Sequence, residues 1–236
     1  MNSKDLKTGS KDIKKSDPKQ IVNFVKENII FGRIGPRERL IEEELTNSFG
    51  VSRHVVRAAM VELERLRIIT RRPNKGVIVR DFSVDEVEQI YDVRGILDTQ
   101  AVLRITNTAE KNFINDLEEI HNQYCAAFDR KALPEVCSLN NKFHHRIWNE
   151  CGNELLVSLN NQVWTESLGI RCYGIGDPDM ISIARIEHEK IINSLRDGDK
   201  EAYTKLSLQH MGLSLGAYKR AHGGWNVKKW NTSIDA

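Results

Sequence analysis

Long apolar runs are missing from this chain. No stretch stays apolar for the ~20 residues that a membrane-spanning helix needs, and no secretory leader opens it. A cytoplasmic protein that does not enter a membrane is therefore expected. Cysteine is scarce: Cys125, Cys137, Cys151 and Cys172 include no C-x-x-C pair, and all four fall in predicted helices. Reduced thiols are the simplest account of them. Aromatic residues are sparse in the first 80 positions, which disfavours base stacking on single-stranded RNA. No internal repeat is present.

What the chain does have is length for two domains, at 236 residues, and 40% hydrophobic residues, enough for real cores. Its net charge of +2 conceals an asymmetry. Residues 1–80 carry 18 basic and 10 acidic side chains, a net +8, and the remaining 156 carry 17 and 23, a net −6. A polyanionic partner would meet the first part only.

The stretch Leu40–Arg80 explains that asymmetry. It reads as helix (LIEEELTNSF), turn at Gly50, second helix (SRHVVRAAMVELERL) and a β-wing around Pro73-Asn74-Lys75-Gly76. In the first helix Ile41, Leu45 and Phe49 are four apart on one side. Ser52 stands where a hydroxyl can cap the second helix. Val56, Ala59, Met60, Leu63 and Leu66 recur at helical spacing as a buried stripe. Arg53 and Arg57 share the opposite face, with His54 beside them. A helix that buries one face and shows arginines near its start suits a DNA major groove. A solvated surface helix is the blander reading, and the turn and wing argue against it.

Around this stretch, residues 1–17 lack periodicity and are expected to be disordered. Residues 18–80 form the DNA-binding domain, with Pro18 opening its first helix. Residues 81–222 form a helical domain, and 223–236 a tail holding the unexplained Trp225 and Trp230. Ser83-Val84-Asp85-Glu86 is a capping box. Helices are predicted over 84–107, 109–130, 132–151, 154–172, 179–197 and 199–221, giving an antiparallel bundle of six helices, or of seven. Gly152-Asn153, Gly174, Gly176, Pro178 and Gly198-Asp199 supply the breaks. The expected fold class is mostly α.

Three histidines stand out in that bundle. His144, His188 and His210 each occupy an otherwise apolar helical stripe, and Asn140 precedes His144 by one turn. Single inward histidines are core residues as a rule. Three on three helices can also converge on a first-row metal, and spacing leaves both readings open. His145 points about 100° away from His144, and His121 reads as structural. His188-Glu189 is not a metalloprotease motif, because Ile192 replaces the second histidine.

The chain resembles the GntR family of bacterial transcription regulators, in the FadR-like branch with an all-helical FCD effector domain. The resemblance spans roughly 18–222. It rests on GVSRHVVRAAMVELERLRIITRRPNKGVIV, YDVRGILD (91–98), N-x-x-F-H (140–144), Gly152-Asn153, IEHEKIINSLRDGD and Gln209-His210-Met211. It implies operator contacts at Ser52, Arg53, His54 and Arg57, and a wing tip at Lys75 and Gly76 entering the minor groove. The family commonly has threonine at His54, proline at Val55, and glycine where Arg37 follows Pro36. Glu43 stands where some members carry a DNA-touching arginine. The resemblance further implies a divalent metal, zinc or nickel, held by Asn140, His144, His188 and His210. A small carboxylate effector would reach that metal, with Arg94 facing it. The alternative for Arg94 is a salt bridge within the bundle.

The expected protein is a homodimeric, metabolite-responsive regulator, a repressor of a palindromic operator, released by a small organic acid. The competing class is a metal-dependent hydrolase using the three histidines. It lacks an evident general base and leaves the basic first part without a role.

Overall fold

The computed structural model describes residues 17–73, 76–105, 111–175 and 177–222. The expectations for residues 1–16, Lys75 and the tail with Trp225 and Trp230 lie outside these. The chain divides into two compact units between Asp81 and Phe82.

The first unit contains α1 (Pro18–Ile30), α2 (Glu42–Phe49), α3 (Arg53–Arg65) and an antiparallel pair, β1 (Ile69–Arg72) with β2 (Gly76–Val79). Asp17 caps α1 by accepting from the Lys19 backbone N–H at 2.9 Å, ahead of Pro18 at the first turn. Packing of α1 on α3 buries Ile21, Val25 and Ile29 together with Val56, Ala59 and Leu63. Gly50 closes α2 in the left-handed conformation at φ +61°. Register in the wing runs from Ile69 opposite Val79 to Arg72 opposite Gly76.

Three local expectations need correction. Ser52 occupies the N-cap of α3 with extended backbone, but its hydroxyl makes no capping bond. Leu66 is half-buried just past the helix end rather than inside the stripe. Ile41 precedes α2 and is 45% exposed, so only Leu45 is buried on that helix. Arg37 accounts for the missing glycine: its φ is +65°, the region glycine adopts freely. An arginine there costs on the order of 1 kcal/mol, offset by its backbone bond to the Val79 carbonyl and its ion pair with Asp81 at 2.5 Å.

The second unit is a bundle of seven helices among the described residues: α4 (Val84–Arg104), α5 (Lys111–Asp129), α6 (Leu133–Asn149), α7 (Glu154–Glu166), α8 (Leu168–Ile175), α9 (Pro178–Arg196) and α10 (Lys200–Ala221). The capping box before α4 is complete, with Ser83 and Glu86 each bonding the other's backbone N–H. Asn153, Asp177 and Asp199 cap α7, α9 and α10. The stretch 154–172 is two helices rather than one. They part at Ser167, whose fully buried hydroxyl donates to the Trp164 carbonyl at 2.9 Å and competes with the helix ladder. Gly174 lies inside α8 instead of at a break. A Cβ there would sit 3.2 Å from that of Ser214, so this glycine permits close approach of α8 to α10. Cys151 lies in the turn after α6, and all four thiols are free.

Helix α10 packs on α4, α8 and α9, while α5 packs on α6 and α9. The YDVRGILD motif, on α4, faces α10 at four positions. The Tyr91 hydroxyl bonds Ser214 at 2.7 Å, and Gly95 leaves room for Leu208. Asp98, buried, accepts from Trp148 of α6 and from Tyr203 and Ser207 of α10. Arg94, the fourth, opens into a cavity. Among the described residues no helix is long and apolar enough to cross a membrane.

Candidate functional site

Helices α6, α9 and α10 each deliver one histidine to a common point. His144 and His188 are buried and His210 nearly so, and one ring nitrogen of each lies within 4.8 Å of the others. The rings of His188 and His210 are 4.8 Å apart, centroid to centroid, and those of His144 and His210 5.3 Å. His188 is fully buried under Phe143 and Tyr124, and neither of its nitrogens has a hydrogen-bond partner among the described residues. Leaving such a group unsatisfied costs about 1–3 kcal/mol, so the position suits a bound ion or ligand atom. His210 Nδ1 bonds buried Glu187 at 2.9 Å, which leaves Nε2 for another partner. A carboxylate behind a ligating imidazole fixes its tautomer and raises its basicity. Burial first, and the neighbouring imidazoles next, hold His144 and His188 well below the ordinary histidine range. Both are thus neutral, the form that ligates metals.

The donor set fits a divalent cation: three imidazoles, one backed by a carboxylate, with orphaned nitrogens on His188. Three bonds of about 2.0–2.1 Å would require the rings to draw together slightly. Asn140, one turn before His144 on α6, lines the same cavity.

That cavity, about 580 Å³ counted to its open mouth, holds Asn140, His144 and His210 at one part and two arginines at another. Arg94 and Arg171 are both buried, and both stack on Trp164, at 5.0 and 3.8 Å from the ring centre. Neither meets a carboxylate among the described residues, so the salt-bridge alternative for Arg94 is not realised. Arg94 Nη1 and Arg171 Nε have no partner among the described residues. Arg171 donates only to neutral oxygens, Asn141 Oδ1 at 3.4 Å and the Trp164 carbonyl at 3.3 Å. Burial, and after it the Arg94 charge, pushes Arg171 down to about 9.

Sequence reasoning missed Arg171, Trp164 and Glu187. Arg171 left one signal, a lone charge in the apolar segment LGIRCYGI. Glu187 left another, lying three residues after Ala184 and four before Ile191 on the buried face of α9. His145 is half-buried beside Trp148, and His121 lies against Tyr124 and His188, with Cys125 Sγ 3.5 Å from its Nε2. Cys137 is buried in the cavity wall.

In the first unit, α3 exposes Ser52, Arg53, His54 and Arg57 while burying Val56, Ala59, Met60 and Leu63. Arg57 does not hang free. Its Nε donates to both carboxylate oxygens of Glu42, on α2, at 3.0 Å. Gly76 opens β2 at φ +71°. A helix with a basic outer face, preceded by a second helix across a glycine turn and followed by a wing, is a winged helix-turn-helix.

Comparison with known proteins agrees across both units. The model of the bacterial regulatory proteins of the gntR family matches residues 18–79, and that of the FCD domain matches residues 89–213. The chain belongs to the GntR family, in its FCD branch. YdhC, an HTH-type transcriptional regulator of Bacillus subtilis, is 29% identical over 193 residues, covering 81% of this chain and 86% of its own. The transcriptional repressor RspR of Escherichia coli is 23% identical over 192 residues, covering 81% and 84%. The solved structure of E. coli McbR shares the fold with a TM-score of 0.71 at 18% identity, over 87% of this chain and 98% of that one. These relatives are transcription regulators, not enzymes. This GntR-family chain is accordingly a DNA-binding transcription regulator with a three-histidine cluster in its FCD domain that could bind a metal.

Proposed function

We propose that this regulator is a homodimeric repressor of the cytoplasm, released from a palindromic operator by a small organic acid bound in its FCD domain. Ser52, Arg53, His54 and Arg57 would enter the major groove, one half-site per subunit, with Lys75 and Gly76 of the wing in the minor groove. Asn140, His144, His188 and His210 would hold a divalent cation, zinc or nickel, which supplies a Lewis-acid anchor for the acid when bound. Arg94 would face the acid. Operator and acid favour different states of the protein, so each weakens the other by linkage. The repressor role draws support from RspR, which is itself a repressor.

The observation that carries this reading is the convergence of three histidines beside a cavity that also holds two buried guanidiniums with no carboxylate partner among the described residues. A catalytic reading has no comparable support, since no carboxylate lines that cavity among the described residues. The test begins with elemental analysis of the purified protein. Operator affinity is then measured by fluorescence anisotropy against a panel of organic acids, before and after chelation. Stoichiometric zinc or nickel and an acid that releases the operator only from the loaded protein are expected. An acid that acts equally after chelation would refute the metal's part.

A further inference from the structure

The arginine end of the cavity carries more positive charge than one small acid group can answer. Arg94 and Arg171 flank one indole, both are buried, and each has a nitrogen without a partner. Buried carboxylates that might have served them are committed elsewhere. Glu187 accepts from His210 and Gln209, and Asp98 accepts from Trp148, Tyr203 and Ser207. A charge buried without a counterion is costly, and two together repel strongly where the effective dielectric is low. A divalent cation at the histidines would bring the total to four positive charges against two buried carboxylates, Glu187 and Asp98. His144 lies against the same indole, 4.9 Å from it, so the arginines and the histidines share one basin of positive charge, and a single monoanion there would leave part of that charge unanswered.

We infer that the effector is a small molecule with at least two anionic groups, one directed to the histidines and the second, a carboxylate or a phosphate, held between Arg94 and Arg171. Planar guanidiniums present paired N–H donors that match either oxyanion. Both lie over the Trp164 ring, and Arg94 also lies over Tyr91 at 4.5 Å, contacts that help to hold the guanidiniums in place. The inference rests on the cavity being the effector site, but not on which metal occupies it.

Calorimetry on the full-length, zinc-loaded protein tests it. The probes are butanoate, pentanoate and hexanoate against butanedioate, pentanedioate and hexanedioate, with 3-phosphonopropanoate as the phosphate-type arm. The best dianion should bind about tenfold or more tightly than the best monoacid, and the leading arm identifies the second group. In Arg171→Gln that advantage should shrink to about twofold or less, while Arg171→Lys keeps most of it. Zinc uptake and the circular dichroism of the metal-loaded state should be unchanged in both. Arg94→Gln gives the same readout from the other side should Arg171→Gln fail to fold. Monoacids that match the dianions in the wild type overturn this inference and leave the effector site standing. Zinc-loaded protein that binds none of the probes overturns both.

Discussion

Arg57 was recognisable from its place on the outer face of α3, but its partner was not. Glu42 lies 15 residues earlier, and only the packing of α2 on α3 brings the two together. The carboxylate engages Nε, leaving the two terminal nitrogens of the fork for a guanine edge. Arg57→Ala should therefore cost operator binding about 1–3 kcal/mol in an anisotropy titration. An affinity unchanged by the substitution would remove α3 from the role of recognition helix. Glu42→Gln should behave differently: operator affinity falls and affinity for random DNA rises, because a negative charge near the phosphates is lost. Each effect is expected at about 1 kcal/mol or less, and equal changes on both DNAs would show that Glu42 does not orient Arg57. At the other site, Asn140 is a neutral amide. Asn140→Asp should bind zinc more tightly and the acid more weakly, since the added charge competes with the acid. Calorimetry with zinc and then acid measures both. Unchanged affinities would place Asn140 outside the coordination sphere.

Elements were legible where their cause is local. Pro18, Ser83 to Glu86 and Gly198-Asp199 announce helix starts within four residues, and the structure begins helices at each, whereas Pro178, read as a break, opens α9 behind the cap Asp177, and Asp17, placed in the segment expected to be disordered, caps α1. The histidine stripes were legible for a related reason, because 3.6-residue periodicity shows which face is inward. Convergence of those stripes was not, since it depends on how three helices cross. The division of 154–172 escaped notice because Ser167 breaks the helix from a buried position, with no glycine or proline to mark it. Arg171 escaped because a buried, unpaired arginine contradicts every expectation for charge until the cavity beside it is seen. Asp98 illustrates the same limit. Nothing in YDVRGILD showed that it ties α4 to α6 and α10 through three donors. Asp98→Ala strands those donors and should destabilise the second unit by about 3–5 kcal/mol, read by urea unfolding with tryptophan fluorescence. A loss under ~1 kcal/mol would mean that the network relaxes onto water.

For the whole molecule, the proposed dimer needs a surface on which two copies can meet. Val93, Ile96 and Leu103 on α4 and Leu155 and Leu159 on α7 are exposed apolar side chains on two helices that pack together. An exposed apolar face of this kind is characteristic of an association surface, and a second copy is the occupant that the proposed palindromic operator would require. Residues 82–236 alone should sediment as a folded dimer, and Ile96→Glu should shift it toward monomer. A monomeric fragment beside a dimeric full-length chain would move the interface to the DNA-binding unit.

The four inward positions of YDVRGILD are under unequal constraint. Tyr91, Gly95 and Asp98 are fixed by what they touch on α6 and α10, so changing any of them rebuilds the bundle. Arg94 touches an aromatic ring and the cavity, and Arg171 is in the same situation on α8. A lineage descended from this protein could exchange one metabolite for another by altering these two arginines, while the scaffold around them stayed as it is. Ancestral and drifting copies should therefore diverge first at 94 and 171, and last at 91, 95 and 98.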